Sequence, residues 1–319
     1  ETENKHIESI LMQNQNDLWI GGTDEESEGD WKWVTGESWD YENWHKTEPN
    51  GGSNENYLNI WGIVNGDRFG TWNDIRDAKS IMGAYLLEIP KVDLESGLVA
   101  YYPFNGNAND ESGNNHHGAV SGATLVTDRN GTVDSAYKFN ALDHGISVND
   151  GSSVLAPSSL TAACWVYWNG TYEARGGGAS GIILYKGNYT PFPNMAYSLA
   201  IDENEGNKLI ARSDSAGFGA SGGLPTHNFL VSNGPVPANT WLHCLLTVDN
   251  GSKTAKLYIN GTLNATKVFA GTINQNTQPL AIGKYGYSNE WGLRGSIDDI
   301  RIYNRALSAA EVGRLHQLE

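Results

Sequence analysis

Five oxygen-bearing side chains stand in two short stretches near the start of the chain, where they could hold a hard metal ion. They are Glu48, Asn50, Glu55, Asn73 and Asp74. Carboxylate and carboxamide oxygens suit calcium, which takes roughly six to eight such ligands. The proline between the first two members has a fixed φ and can adopt a cis bond, so it can aim its neighbours at one point. Glu-Pro-Asn alone is also typical of a polar turn, but the second cluster, directly after a tryptophan, favours a metal site.

The stretches that carry these residues resemble a C-type lectin-like domain, which we assign to residues 1–90. The strand–loop core of that family resembles LWIGGTDEESEGDWKWVTGESWDYENWHKTEPN, and its closing strand resembles TWND. Family members use the corresponding residues to bind one calcium ion, which also binds two vicinal sugar hydroxyls. The resemblance therefore implies a joint calcium- and sugar-binding site made of Glu48, Asn50, Glu55, Asn73 and Asp74. The Glu-Pro-Asn form implies mannose-type sugars: mannose, glucose, N-acetylglucosamine and, by equivalent hydroxyl geometry, fucose.

The resemblance also implies an auxiliary calcium site, formed by Asp24 and Glu28 together with Glu55. Asn56 and Gly51 stand where the family often has acidic residues. Because the number of ligand charges tunes calcium affinity, we expect this second site to be the weaker one.

The chain departs from the family in two respects. No cysteine precedes Cys164, so the family's usual disulfides cannot form, which is compatible with a bacterial origin. Ile7, Ile10 and Leu11 have helical spacing and match the family's second helix. We therefore expect the first strand and first helix of the family fold to be missing from this chain, or the sheet edge to be completed by something else.

The acidic surplus of the chain argues against two partner classes. Lys and Arg number 21 against 37 Asp and Glu, a formal net charge of −16 over 319 residues. We expect neither nucleic acid nor anionic membranes as partners, because both require basic patches. No run of about 18 apolar residues is present, so no membrane-spanning helix is expected. With glycans and calcium as the predicted partners, this indicates a secreted or cell-surface protein.

The second part of the chain has the pattern of many short, alternating strands. The length and the 38 glycines indicate two mainly β domains. Residues 98–319 resemble a laminin-G-like, or concanavalin-like, jelly roll, and residues 91–97 have the composition of a linker. Asn260–Gly261 predicts a tight hairpin turn, and Ser308 with Glu311 predicts a capping box at a short final helix. The predicted fold class is thus an α+β C-type lectin-like domain followed by an antiparallel β-sandwich.

The jelly-roll resemblance implies a further calcium site, where the NDESGNNHHG loop meets the IDD of the last strand. Its candidate ligands are Asp110, Asn115, His117 and Asp298. An ordinary Gly- and Asn-rich loop with an exposed acid is the equal alternative.

Cys164 and Cys244 are the two cysteines of the chain. They fall in predicted strands that could be neighbours, and a disulfide would form if their Cα atoms lie within about 7 Å. Two buried thiols are the alternative, because cysteine packs readily as a small apolar residue.

Concanavalin-like folds include glycosidases and lyases, so catalysis has to be weighed. A retaining glycosidase needs two carboxylates about 5 Å apart. The nearest acidic cluster, residues 202–205, has the pattern of a hairpin turn rather than of an inward strand face. The sequence has no G-x-S-x-G nucleophile motif and no phosphate-binding loop. We therefore expect that the chain is not an enzyme.

The leading hypothesis is a calcium-dependent, mannose-type lectin module of a secreted or cell-surface adhesin, with the jelly roll as a second binding unit or spacer. A protein-binding or structural module, in which calcium only orders the loops, is the first alternative. The second is an accessory domain pair of a larger carbohydrate-active enzyme. Trp44, His45 and Trp61 could stack on a sugar face, although core packing is favoured for each.

Overall fold

The computed structural model describes residues 7–8, 10–12, 16–62, 66–76, 92–172, 180–188, 194–213, 230–286 and 291–318. The chain forms two compact units, Glu1–Lys91 and Val92–Glu319. The end of the predicted lectin-like domain, residues 77–90, lies outside the described part. Among the described residues, no helix combines the length and the apolar content that crossing a membrane requires.

In the described part of the first unit, four short antiparallel strands form a sheet in the order β2-β1-β3-β4. They are β1 (Leu18–Thr23), β2 (Lys32–Trp33), β3 (Tyr57–Ile60) and β4 (Trp72–Ile75). Between β2 and β3 the chain follows a long loop that contains one 3-10 turn, Gly52–Asn54. The candidate ligands therefore lie on this loop and on strand β4.

A cluster of tryptophan rings forms much of the core of the first unit. Its members are Trp31, Trp33, Trp39, Trp44 and Trp72. The ring of Trp72 meets three of the others edge-on, at centroid separations of 5.7–5.8 Å, an arrangement that aromatic pairs favour. Residues 7–8 and 10–12 are helical, as their spacing predicts, and Leu11 is buried against this core. Because Trp72 directly precedes Asn73 and Asp74, the cluster fixes the strand from which those side chains project.

The second unit is a sandwich of two antiparallel sheets. Its strands are β5 (Leu98–Tyr102), β6 (Gly118–Ser121), β7 (Thr124–Val126), β8 (Ala136–Phe139), β9 (Gly145–Val148), β10 (Leu160–Trp168), β11 (Ser180–Asn188), β12 (Asn194–Asp202), β13 (Lys208–Arg212), β14 (Leu230–Pro235), β15 (Trp241–Asp249), β16 (Thr254–Ile259), β17 (Thr262–Val268), β18 (Leu280–Ile282) and β19 (Gly295–Tyr303). One sheet has the order β17-β16-β15-β10-β19-β8-β7, with β5 also paired to β19, and the other has the order β14-β13-β12-β11-β18-β9-β6. Buried apolar side chains from both sheets form one core between them. This mainly β, antiparallel architecture confirms the predicted fold class.

Two local features of the second unit have the structure that the sequence predicts. Asn260 and Gly261 join β16 to β17 with φ values of 49° and 73°, and such positive values are what Asn-Gly supplies in a tight hairpin. The final helix, Ala309–Leu318, begins with the predicted capping box. The backbone N–H of Ser308 donates to Glu311 Oε2 at 2.7 Å, and the backbone N–H of Glu311 donates to Ser308 Oγ at 3.3 Å.

Residues 92–97, which the sequence assigns to a linker, contact the second unit. The Arg305 guanidinium donates from Nη2 to the carbonyl oxygen of Asp93 (2.7 Å) and from Nε to that of Ser96 (2.8 Å). Leu94 is buried in an apolar cluster with residues of the final helix. The segment is therefore packed against the second unit instead of extending freely.

Cys164 of β10 lies directly opposite Cys244 of β15. Both side chains are buried and are thiols in the structure. Burial raises the pKa of Cys244 to about 12, which keeps it in the unreactive protonated form. Of the two predicted alternatives, the structure shows buried thiols.

Candidate functional site

Asp74 organises the loop that carries the first candidate ligands. It lies on β4, opposite Leu58 of β3, and is 2% exposed. Its Oδ1 accepts a hydrogen bond from the backbone N–H of Asn50 (3.1 Å), and its Oδ2 accepts from those of Asn50 (3.0 Å) and Gly51 (2.7 Å). Hydrogen bonds to a carboxylate are stronger than those between neutral groups. Asp74 therefore fixes the loop against the sheet.

Glu48 and Asn50 meet across a cis Glu48–Pro49 peptide bond. Asn50 Nδ2 donates to Glu48 Oε2, and Thr47 Oγ1 donates to Glu48 Oε1 at 3.1 Å. Burial raises the pKa of the Glu48 carboxyl, and the negative charge of Asp74 raises it further, while the Thr47 hydrogen bond opposes both effects. The structure thus brings Glu48, Asn50 and Asp74 together, as predicted.

The side chain of Glu55 folds over Gly51 in the same loop. A Cβ atom added to Gly51 would stand 2.4 Å from Glu55 Oε2. That distance is far below any normal van der Waals contact, so a larger residue at position 51 would displace the Glu55 carboxylate. Glycine at this position therefore lets Glu55 approach the turn that Asp74 holds.

Asn73 directly precedes Asp74 on β4, but its side chain contacts the sheet and not the loop. It lies on β4 opposite Asn59, and its Nδ2 donates to Asn59 Oδ1 at 3.0 Å. Asn59 is itself 1% exposed. The amide nitrogen of Asn73 is therefore used within the sheet, whereas Glu48, Asn50 and Asp74 contact one another.

The acids of this loop have no counter-charge in the described part of the chain, where no Lys, Arg or His forms an ion pair with Glu48, Glu55 or Asp74. The nearby Lys46 pairs with Asp67 instead. Clustered carboxylates repel each other, and an oxygen-seeking cation relieves that repulsion. By themselves, no three His, Cys, Asp or Glu side chains among the described residues come close enough to hold a metal ion. A cation at this loop would therefore need the carboxamide oxygens as well.

Asp24, of the predicted auxiliary site, carries a buried oxygen that lacks a partner. It is 4% exposed, and its Oδ2 accepts from the backbone N–H of Gly29 at 2.9 Å, but its Oδ1 has no hydrogen bond. The backbone N–H of Asp24 donates to the carbonyl oxygen of Asn56 at 3.3 Å, which places Asp24 beside the segment that carries Glu55. Glu28 is exposed. An unpaired buried acceptor is costly, so Asp24 fits the role of a cation ligand better than Glu28 does.

The three aromatic candidates for sugar stacking are packed against protein groups. Trp44 contacts Trp31 with ring centroids 4.8 Å apart, and His45 is 5% exposed. The guanidinium of Arg68 lies 4.8 Å from the ring centroid of Trp61, and the His45 ring meets Trp61 edge-on at 5.3 Å. Core packing is thus the main role of Trp44 and His45 in the structure.

In the second unit, Asp110 uses both carboxylate oxygens within its own loop. Oδ1 accepts from the backbone N–H groups of Tyr101 and Ser112, each at 2.9 Å, and Oδ2 accepts from that of His116 at 2.9 Å. Burial alone would raise the pKa of Asp110, but these hydrogen bonds outweigh it and hold the pKa below its usual value. His117 Nδ1 accepts from the backbone N–H of Asp110 at 3.1 Å.

Asp298, the other acid of that predicted site, has an arginine as its partner. Arg129 Nη1 lies 2.7 Å from Asp298 Oδ2 and 2.7 Å from Asp299 Oδ2. Burial first, and then the charge of Asp299, raise the pKa of Asp298 to about 8, against the opposing effect of Arg129. Asn115 is exposed at a φ of 60°. Backbone amides thus hold Asp110, and Arg129 pairs with Asp298. A calcium site formed by these residues stays a prediction.

The acidic turn at residues 202–205 is also internally paired. Asp202 Oδ2 accepts from Ser180 Oγ at 2.6 Å and from Arg212 Nη2 at 2.7 Å. Its Oδ1 accepts from the backbone N–H of Asn204 at 2.9 Å, which stabilises the hairpin between β12 and β13. The sequence pattern predicted this turn but gave no signal for its arginine.

Comparison with known families agrees with these two architectures. Residues 140–313 match the model of the concanavalin A-like lectin/glucanases superfamily, described as Laminin_G_3. The chain belongs to that superfamily. Residues 1–81 match the lectin C-type domain, so this superfamily member carries a C-type lectin domain at its N-terminal end.

Several known proteins resemble parts of this superfamily member. Halomucin of Haloquadratum walsbyi is 26% identical over 249 residues, which is 73% of this chain and 2% of halomucin. The perlucin-like protein of Mytilus galloprovincialis is 43% identical over 58 residues, 18% of this chain and 35% of that protein. The hepatic lectin of Gallus gallus is 36% identical over 70 residues, 21% of this chain and 31% of that protein. The chain thus spans about a third or less of each relative's length.

Solved structures resemble the larger part of the chain in fold. The binding domain of Paraclostridial Mosquitocidal Protein 1 superposes with a TM-score of 0.52 at 20% identity, covering 70% of this chain and 52% of that one. Trypanosoma rangeli sialidase in complex with sialic acid gives a TM-score of 0.50 at 18% identity, covering 69% of this chain and 32% of that one. At these identities the similarity describes the fold alone.

Proposed function

We propose that the chain is a calcium-dependent carbohydrate-binding module whose site is the loop between Glu48 and Asp74. The observation that carries this proposal is that Glu48, Asn50 and Asp74 meet at one loop, with Glu55 folded over the adjacent Gly51. In the described residues, no basic side chain pairs with these acids. Burial is the main cause of the raised pKa of Glu48, and the negative charge of Asp74 adds to it. The match to the lectin C-type domain, and the lectin name of the chicken relative, support sugar as the ligand.

In this proposal, Glu48, Asn50, Glu55, Asn73 and Asp74 would hold the ion. Bound calcium would supply two coordination positions at which sugar hydroxyls replace water. Glu48 and Glu55 would accept hydrogen bonds from those hydroxyls, and Asn50 and Asn73 would donate to them from their side-chain amides. Asp74, which already binds two backbone amides, keeps the turn in place for the others. The hydrogen-bonding pattern of Glu48 and Asn50 favours mannose-type sugars.

The unpaired Oδ1 of Asp24 supports a second, auxiliary calcium position beside Glu55. Its role would be to hold the loop rather than to bind sugar, because Asp24 is almost completely buried. Glu28 would join only after its exposed side chain turned inward.

Single sugars would bind weakly at such an open loop, so useful affinity would come from several copies acting together. The similarity to halomucin and to two lectin-like proteins supports an extracellular location. We propose an adhesive or glycan-capturing role for this chain, with the β-sandwich as spacer or second binding unit and no catalysis in either unit. A bacterial origin stays a prediction.

The deciding experiment is a calorimetric titration of mannose into the full chain, first with calcium and then with EDTA. We expect heat that disappears in EDTA and returns when calcium is restored. Galactose in the same buffer is the control for sugar type. Binding of calcium without any heat from mannose, glucose, N-acetylglucosamine or fucose would overturn the sugar proposal and leave a module whose loops are ordered by calcium for a protein partner.

A further inference from the structure

A sealed polar cluster lies in the core of the second unit, apart from every site described above. Lys186 of β11, Asp150 after β9 and Asn276 before β18 are 0%, 2% and 8% exposed. Lys186 Nζ lies 2.9 Å from Asp150 Oδ2, 3.2 Å from Asn276 Oδ1 and 2.8 Å from the Asn276 carbonyl oxygen, and it also contacts the carbonyl oxygen of Gln278. An amine, a carboxamide and a carboxyl group therefore meet away from solvent.

The strand register explains why these groups converge. Lys186 lies opposite Leu280 of β18, and Leu280 lies opposite Val148 of β9. The side chains of Lys186, Asp150 and Asn276 therefore lie at the same end of the adjacent strands β11, β9 and β18. Their positions are fixed by the sheet and not by a mobile surface loop.

Asp150 is held firmly beneath the lysine. Its Oδ1 accepts from the backbone N–H of Val154 at 3.0 Å, and its Oδ2 accepts from that of Leu155 at 3.1 Å. Tyr197, which is fully buried, packs beside it and donates its hydroxyl to the Leu155 carbonyl oxygen at 3.0 Å. The carboxyl group therefore has a fixed position next to the amine.

The chemical state of Lys186 suits it for nucleophilic attack. Burial lowers the pKa of its amine, although the hydrogen bond and charge of Asp150 act in the opposite direction. A desolvated lysine is a nucleophile when an electrophile is within reach. The carbonyl carbon of the Asn276 side chain is one bond from the Oδ1 atom that Nζ already contacts. Groups that reach reaction geometry within one fold react at a very high effective concentration, and the sheet keeps Nζ and this amide together.

We propose that Lys186 and Asn276 join through an intramolecular isopeptide bond, with Asp150 as the proton carrier. Lys186 first gives a proton to Asp150, which leaves a neutral amine beside a carboxylic acid. Nζ then attacks Cγ of Asn276, so that the Nζ–Cγ bond forms and the Cγ–Nδ2 bond breaks. Asp150 moves a proton from Nζ to Nδ2, and one molecule of ammonia leaves. One amide replaces another, so the step needs no oxidant, reductant or energy source.

Such a bond would tie β11 to the segment before β18, across 90 positions of the chain. A cross-link of this kind restricts the unfolded state much as a disulfide does. Unlike a disulfide, it resists reducing agents, and it would give the second unit a covalent staple although Cys164 and Cys244 are thiols.

Intact-mass spectrometry of the unfolded full chain tests the proposal. We expect the wild-type mass to be lower than the mass calculated from the sequence by one ammonia, and a proteolytic digest to contain a branched peptide that joins the Lys186 and Asn276 segments. Lys186→Met should have the full calculated mass. A wild-type mass equal to the calculated one, without a branched peptide, would overturn the proposal and leave a buried ion pair. The wild-type measurement decides the question even where a variant fails to fold.

Two controls distinguish the isopeptide bond from a different loss of ammonia. Asparagine can also lose ammonia by cyclising on its own backbone, so a loss that persists in Lys186→Met would overturn the isopeptide bond. Lys253 offers a matched lysine, because its Nζ contacts Asn250 Oδ1 at 2.6 Å and the Gly271 carbonyl oxygen at 3.1 Å in a half-buried position. Lys253→Met should keep the ammonia loss, because this pair is not sealed from water.

Discussion

The two units of the chain arrange their buried acids in opposite ways. In the first, Glu48 and Asp74 lie at one loop and are held by amide groups, with no basic side chain paired to them in the described residues. In the second, Asp298 and Asp299 share Arg129, whose Nη1 is 2.7 Å from an oxygen of each. The first arrangement leaves negative charge that an outside cation can neutralise, whereas the second supplies its own cation.

From this difference we expect a metal site only where the chain has no basic side chain of its own to neutralise the acids. Asp110 resembles Asp74 in this respect, since each accepts three backbone hydrogen bonds, so the arginine partner is what distinguishes the two units. Charged hydrogen bonds of this kind stabilise the ionised carboxylate without a metal. If the two units differ in this way, substitutions of their acids and of Arg129 should have different effects on calcium binding and on stability.

Arg129→Met should produce the largest effect at pH 9, above the folded pKa of Asp298 of about 8, because the buried Asp298 and the half-buried Asp299 are then both ionised and lose their shared partner. Removing one member of a buried ion pair costs roughly 3–5 kcal/mol, so we expect the free energy of unfolding of the second unit to fall by about 4 kcal/mol. Chemical denaturation measures it, and adding Asp298→Asn should restore part of the loss. A decrease below about 1 kcal/mol would be typical of a surface pair and would contradict internal neutralisation.

Asp74→Ala should remove calcium binding from the first unit and leave the second unit folded. The change deletes a carboxylate and releases the backbone amides of Asn50 and Gly51, so we expect calcium affinity to fall about 100-fold, or about 2.7 kcal/mol. Calorimetric titration with calcium measures it, and Asp110→Asn is the matched control that should bind as the wild type does. Equal losses in both variants would mean that the acids of the two units do not differ in the proposed way.

Exchanging the acid and the amide at positions 48 and 50 tests which type of sugar the loop binds. Glu48→Gln combined with Asn50→Asp reverses which group donates and which accepts, while the oxygen ligands remain. We expect the preference to move from mannose toward galactose by about tenfold, or about 1.4 kcal/mol. Competition between the two sugars on an immobilised glycan measures this ratio. A mannose preference that stays unchanged would place the sugar elsewhere.

The pH dependence of stability should reveal the paired acids of the second unit. The folded pKa of Asp298 is raised to about 8 from the ordinary 3.8. The folded state therefore binds a proton that the unfolded state releases between these values, so stability falls as pH rises through this window and levels off above it. The slope should be about 1 kcal/mol per pH unit. Denaturation at pH 5, 6, 7 and 8 measures it, and a slope that persists in Asp298→Asn would assign it to another group.

Features that depend on adjacent residues were predictable from the sequence. The Asn260–Gly261 turn and the Ser308–Glu311 capping box appear where their patterns place them, because each is stabilised by contacts within a few residues. The loop of Glu48 and Asn50 belongs to the same class, since one short motif defines it. The contact between Asp74 and the loop of Asn50 also follows from the resemblance, because the family has both stretches at one site.

Partnerships across the sandwich left no local pattern in the sequence. Arg129 and Asp298 are 169 positions apart, and an isolated arginine in a loop does not reveal which acid it meets. The calcium site predicted at Asp298 followed from the family resemblance, which gave no sign of this arginine. Lys186 gave a readable signal, because a lysine in the apolar strand SGIILYKGN needs a buried partner wherever its side chain faces the core.

The tryptophan cluster beneath the loop provides the first unit with its own optical reporter. The backbone N–H of Trp72 donates to the Asn43 carbonyl oxygen at 2.8 Å, and the Trp72 carbonyl oxygen accepts from the N–H of His45 at 3.0 Å, so its backbone is attached on both sides to the long loop. Its ring is also in edge contact with those of Trp33, Trp39 and Trp44, which couples the loop to the whole cluster. Intrinsic indole emission should therefore respond to any cation or sugar that shifts this loop, and binding can be followed at low protein concentration without a label.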